Sequence, residues 1–231
     1  NFANAKLNYA GRTSTFYKRD GKFFVNTAGP DGKLADYEIK YTFGVTPLQQ
    51  YLIQFPGGRM QALGIAWDSR PKEQGGQRWF HLYPKERITH KDPLHWTAID
   101  QNWNYQCAEC HSTNLQKRYD AEKAAYDTTW SELNVACEAC HGPGSAHVDW
   151  AKKNQGKKKS GENNGLVVRF NERRGVNWAM DEASGIARRS VARATNVEID
   201  ACARCHARRG VLTEDYVHGK PFLDSHLPAL L

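Results

Sequence analysis

Cys107-Ala108-Glu109-Cys110-His111, Cys137-Glu138-Ala139-Cys140-His141 and Cys202-Ala203-Arg204-Cys205-His206 repeat one pattern, Cys-x-x-Cys-His, and together use all six cysteines of the 231-residue chain. Two thiols three residues apart lie on nearly the same face of one helical turn, so both can form thioethers with the two vinyl groups of a single porphyrin. The histidine that follows then stands as the proximal axial ligand of the iron. Three motifs therefore predict three covalently bound haem c groups, attached at Cys107, Cys110, Cys137, Cys140, Cys202 and Cys205, with His111, His141 and His206 as proximal ligands. The competing chemistries explain less. A thioredoxin-like pair needs no histidine, four-thiolate zinc leaves two cysteines over, and structural disulfides do not account for a histidine after every second cysteine.

What occupies the other side of each iron is a question of supply. Met60 and Met180 are the only methionines, whereas His81, His90, His95, His147, His218 and His226 all lie outside the motifs. Bis-histidine ligation is favoured, and it gives lower potentials than Met/His ligation. His147 leads the distal candidates. It follows His141 through Gly142-Pro143-Gly144-Ser145-Ala146, which must turn sharply because Gly permits positive φ and Pro fixes its own. The turn keeps His147 near the proximal edge of the second haem, so the iron it reaches belongs to a neighbouring haem. His95, in Asp92-Pro93-Leu94-His95-Trp96, comes next, then His81, then His226; His90 and His218 sit in polar, turn-like surroundings and read as surface residues. The surplus of candidates would be absorbed by a further haem ligated across a chain or subunit boundary.

The elements that must hold these residues fall into two regions, 1–91 and 92–231. In the first, strand-like runs alternate with Gly-containing turns: Phe16-Tyr17 and Phe23-Phe24-Val25 flank Asp20-Gly21, residues 37–43 form a strand, and Gly57-Gly58 separates 51–55 from 60–67. This predicts an antiparallel β segment packing on the haem region. In the second, helix is expected at each attachment site, at 120–125, around 147–153 and over 182–194, with Gly185 inside the last. The fold class expected is thus α+β with much irregular structure, an N-terminal β segment followed by a haem-organised, mainly helical region. Residues 152–165, rich in Lys, Gly and Asn, read as a solvated loop. The short connection between the first two motifs predicts that these form the closest pair, with the third less constrained.

Composition agrees with a haem-built core. Apolar residues make up 40% of the chain and mean hydropathy is −0.73, modest for a self-sufficient interior. The formal charge of +7 does not indicate nucleic acid, since three ferric haems with ionised propionates bring it to about +4. No stretch of about 18 apolar residues could span a membrane. Haem attachment takes place outside the cytoplasm, so the chain is expected to be exported, to the periplasm or beyond the cell, with its signal removed. No nucleophile and base pair, phosphate loop or carboxylate pair suggests a hydrolase or transferase.

Asp92-Pro93-Leu94-His95-Trp96-Thr97, Asn102-Trp103-Asn104, Cys107 through Leu115 and Val135 through His147 resemble multihaem c-type cytochromes with doubled Cys-x-x-Cys-His motifs. That group is similar to the tetrahaem cytochrome c family of nitrifying bacteria and to multihaem cytochromes linked to tetratricopeptide repeats. The resemblance implies mainly bis-His haems in close pairs, His147 and His95 as distal ligands, and an exported electron carrier working with redox partner proteins. Such relatives usually carry a further motif upstream and, in larger members, more beyond, so this chain is expected to be a fragment or a trimmed form. Two alternatives stand beside electron transfer. One is a redox enzyme acting on a nitrogen oxide at an open haem, since the nitrifier relatives include a haem without a strong distal ligand. The other is a homo-oligomer or conducting filament in which a surplus histidine ligates a neighbouring subunit's haem.

Overall fold

The computed structural model describes residues 1–155 and 163–229. The chain folds as two compact units, Asn1–Glu109 with Lys117–Thr129, and Cys110–Gln116 with Trp130–Leu231.

The first unit is an antiparallel meander. Its strands are β1 (Ala3–Tyr9), β2 (Arg12–Arg19), β3 (Lys22–Ala28), β4 (Leu34–Phe43), β5 (Leu48–Gln54), β6 (Met60–Ala62), β7 (Ile65–Asp68) and β8 (Arg78–His81), in the order β1-β2-β3-β4-β5-β7-β8 with β6 also paired to β5. Tight two-residue turns set the register. Ala10-Gly11 and Asp20-Gly21 all lie at positive φ, the condition for a turn whose twist matches that of the flanking strands. Alternation then puts Phe16 and Val25 directly opposite one another and fully buried, in a core completed by Ile39, Tyr51, Ile53, Leu63, Ile65, Trp79 and Trp96. The first and last strands meet. Trp79 Nε1 donates to Asn1 O at 3.1 Å, Phe2 packs edge-on to Trp79, and the Tyr9 and His81 rings stack 3.5 Å apart, so the sheet is nearly closed and barrel-like.

After the strands the chain is pinned beneath the sheet by side-chain amides. Gln61 Nε2 donates to the carbonyls of Trp96 and Ala98 at 2.9 and 2.8 Å, and Trp96 Nε1 donates to Ala28 O at 2.7 Å. Asn102 caps α1 (Trp103–Gln106) by accepting from Tyr105 N at 2.9 Å. Asn104 Oδ1 accepts from Met60 N at 2.7 Å while its amide donates to Gly58 O and Thr128 Oγ1. Cys107 follows α1 directly, and α2 (Ala108–His111) carries the rest of the first motif.

The expectation of a mainly helical second region is overturned. The described helices are five and short, α1, α2, α3 (Cys137–His141), α4 (Ser145–Lys153) and α5 (Val197–His206), and the chain as a whole is mostly β. Residues 120–125 form not a helix but a turn between β9 (Tyr119–Asp120) and β10 (Ala125–Tyr126). The Asp120 carboxylate accepts from the backbone N–H groups of Glu122 and Lys123, and Ala124 sits at φ 48, so the local polar side chain outcompetes helical hydrogen bonding. The stretch 182–194 likewise folds as a hairpin, β11 (Trp178–Asp181) and β12 (Ile186–Arg189). Asp181 accepts from Ala183 N and Ser184 Oγ, and Gly185 at φ 67 closes the turn. A last pair, β13 (Arg209–Val211) and β14 (His226–Pro228), follows α5. Of the lysine-rich segment, 152–153 end α4, and residues 156–162 lie outside the described part. Among the described residues, no helix is long and apolar enough to cross a membrane.

Candidate haem centres

The second unit has little apolar interior of its own. Among its described residues only Val168, Ala201 and Phe222 are buried apolar side chains, while Trp178, Met180, Ile186, Val191 and Leu212 are exposed. No disulfide joins any of the six cysteines, and Cys137, Cys202 and Cys205 are exposed. No three His, Cys, Asp or Glu side chains converge as a metal site among the described residues. Zinc would need four such ligands, whereas a porphyrin iron asks the protein for two.

Motif two shows the ligand geometry most fully. His141 ends α3, and its Nδ1 lies 2.8 Å from Val168 O, whose own N–H donates to His141 O at 3.1 Å. A carbonyl can only accept, so in the neutral ring the proton sits on Nδ1 and the lone pair is left on Nε2. This second contact is how metal-ligating imidazoles are oriented. The turn beyond is held by Glu138, whose carboxylate accepts from Gly144 N at 2.7 Å. Gly142 is at φ 75, with Val167 and His218 packed where a side chain would project.

His147 repeats the arrangement. It lies in the first turn of α4, its Nδ1 2.6 Å from Asn164 O and its ring nearly parallel to Trp150. The carbonyl again places the proton on Nδ1 and leaves Nε2 for a metal. Gly165 lies against the Ala146 and His147 backbone so closely that a Cβ would stand 2.4 Å from Ala146 O.

The remaining histidines differ in the nitrogen they commit. His95 is 7% exposed, with Nδ1 2.8 Å from Thr97 Oγ1, and His226 is 1% exposed, with Nδ1 2.8 Å from Ser225 Oγ and its ring stacked on Phe222. A hydroxyl can accept or donate, so either tautomer suits His226, whereas His95 Nδ1 also accepts from Thr97 N at 3.4 Å, which favours the proton on Nε2. His81 Nδ1 accepts from Tyr83 N at 3.1 Å, which puts its proton on Nε2. His218 Nε2 faces Ala139 O at 3.2 Å. Burial pushes His81 and His95 down to about 4, with His90 and Arg12 adding to the effect at His95; both rings are neutral at pH 7. His81, His90 and His95 line one cavity of about 100 Å³ in the β unit.

The third motif is not held apart by its long connection. Cys110 Sγ lies 3.9 Å from Cys205 O, and contact with Cys110, then burial, pushes the Cys205 thiol up. Cys202 is raised by burial, with smaller contributions from Glu198 and Cys140. Arg204, between these two cysteines, donates from Nη1 to Ala139 O of α3 at 3.3 Å. Helix α5 therefore touches the second cysteine of motif one and the helix of motif two. Neither Val168 nor Asn164 was legible as a partner of His141 or His147, because each contact is a backbone carbonyl that carries no residue-type signal. Arg204 was visible as a charged residue inside a motif, but only folding reveals its neighbour.

Residues 67–142 match the family model of cytochrome c554 and c-prime. The matched stretch, about a third of the chain, contains the first two motifs together with His81 and His95. No curated protein and no solved structure matches the chain. The match supports a c-type cytochrome that transfers electrons, with covalently bound haem c as the source of iron. The unbridged cysteines, the His141 Nδ1 committed to a carbonyl and the sparse apolar interior among the described residues fit that group.

Proposed function

We propose that the chain is an exported multihaem electron carrier that binds three haems c through Cys107, Cys110, Cys137, Cys140, Cys202 and Cys205, with His111, His141 and His206 proximal. The observation that carries this reading is His141, where the attachment motif and the tautomer-setting contact to Val168 O coincide in one side chain. Bound haem supplies one-electron chemistry; the chain fixes the spacing, orientation and surroundings of the groups. His147 heads the distal set because its Nδ1 is committed to a carbonyl. His226 and His95 follow: His226 faces a hydroxyl that can accept from Nδ1–H, and His95 would reach the ligating tautomer by giving up only the long 3.4 Å contact from Thr97 N. His81 comes last, since ligation through Nε2 would cost it the contact from Tyr83 N. Saturation of the irons by histidine leaves no place for substrate and makes the molecule a relay between redox proteins, periplasmic or extracellular.

Intact-mass measurement after denaturation, with a pyridine haemochrome assay, tests the reading. Three haem masses on one polypeptide are expected. Unmodified thiols with no added porphyrin mass would overturn it.

A further inference from the structure

Arg204 occupies the second variable position of the third motif, yet its side chain leaves its own helix. Nη1 donates to Ala139 O in α3 at 3.3 Å, the guanidinium lies 4.0 Å over the Tyr216 ring, and Nε is buried without a hydrogen-bond partner. Guanidinium stays charged at any physiological pH, and a buried charged donor is costly unless an acceptor meets it. Among the described residues no carboxylate pairs with Arg204. Two acids share its electrostatic field at Tyr216 and His218, but both are engaged elsewhere: Glu138 accepts from Gly144 N at 2.7 Å and Asp200 from Phe222 N at 3.1 Å. The missing partner is an anion.

On the haem reading above, on which this inference rests, attachment delivers carboxylates to this place, two propionates per haem. We propose that Arg204 Nε–H donates to a propionate of the haem attached at Cys137 and Cys140, the motif whose helix the side chain already grips. Arg204 is then a positioning residue with an electrostatic effect. A cation bonded to the propionate in a low-dielectric setting stabilises the reduced haem, which carries one more negative charge, and so raises that haem's potential. It also ties the third attachment helix to the second haem.

The test is redox titration of the haem-loaded chain, followed optically and by electron paramagnetic resonance, for wild type, Arg204→Gln and Arg204→Lys. In Arg204→Gln one midpoint is expected to fall by about a tenfold change in the reduction equilibrium, about 59 mV for one electron, while the low-spin spectrum is retained. Arg204→Lys restores most of it. A Cys140→Ser background, which keeps His141 and one thioether, identifies the haem, because the vinyl left unreacted stays conjugated with the porphyrin and moves the second motif's α band to longer wavelength. Unchanged midpoints, an equal fall at all three haems, or a shift on a haem other than the marked one overturns the assignment. If Arg204→Gln fails to assemble, Arg204→Lys is compared with wild type by the propionate vibrational bands; identical bands also overturn it. A wild-type chain without covalent haem would sink the cytochrome reading itself, whereas a three-haem chain indifferent to Arg204→Gln sinks only this inference.

Discussion

Replacing His147→Ala is expected to convert one haem in three from low to high spin and leave the other two untouched. The ring does two things. Its Nδ1 holds Asn164 O at 2.6 Å, and this contact fixes the tautomer that presents Nε2. Loss of that hydrogen bond costs roughly 0.5–1.5 kcal/mol, too little to unfold the chain, so the spectral change is read on folded protein. With three equivalent haems, one ligand removed takes about a third of the ferric low-spin signal, and an equal high-spin signal replaces it. Spin quantitation by electron paramagnetic resonance measures both. Added imidazole should enter the opened position and restore the low-spin form, and His147→Met should keep the signal low-spin while raising a single midpoint. A ferric spectrum that stays wholly low-spin in His147→Ala would return the residue to the surface of α4 and refute the reasoning from its tautomer.

Gly165→Ala should act on the same haem at a distance: at φ 74 the new side chain costs about 1–2 kcal/mol in backbone strain and collides with Ala146 O, so a denaturant midpoint shift and a partial high-spin signal are expected together. Trp79→Ala removes the ring that stacks on Phe16 and closes the sheet against Asn1, and should cost about 3–5 kcal/mol by chemical denaturation without changing the haem spectrum. Asp68 is held down to about 2, first by its side-chain hydrogen bonds with Arg70, against an ordinary 3.8. Between those values the unfolded chain binds more protons, so stability rises with pH across the window, is complete above about 4 and is lost as pH falls through about 2. Asp68→Asn should flatten that acid limb in urea titrations at stepped pH; an unaltered limb would contradict the assignment. Finally, the haem of the third motif should show magnetic or redox coupling to at least one other, given the contacts of α5 with Cys110 and Ala139; three independent signals would contradict this.

The sequence was most readable where one residue type alone decides the backbone. Asp20-Gly21 announces its hairpin because few other pairs tolerate positive φ at both positions, and the Cys-x-x-Cys-His spacing announces a helical turn because the chemistry requires one. It misled where propensity and local hydrogen bonding disagree. The run after Asp120 is made of good helix formers, but a single carboxylate accepting from two backbone N–H groups redirects it into a turn, and Asp181 with Gly185 does the same to the later stretch. At the site, the candidate histidines could be nominated from their flanks. Their ranking could not, because it depends on whether Nδ1 meets a carbonyl, a hydroxyl or an N–H, and those partners lie up to 27 residues away, as Val168 does from His141. The contacts of the third motif with Cys110 and Ala139 were not legible either, because the chain length between motifs does not give their distance. A long connection permits separation but does not impose it.

The three buried apolar side chains among the described residues of the second unit have a consequence for how the molecule comes into being. A layer so thin cannot offset the conformational entropy of about a hundred residues, so on the proposed reading this half acquires its interior from outside, one porphyrin at a time. Maturation and folding become a single process, and the order of attachment becomes an assembly pathway. On that reading a chain that receives two groups instead of three would lose more than a third of its conductance: it would lack a wall of the building, and proteases would meet it before any electron did.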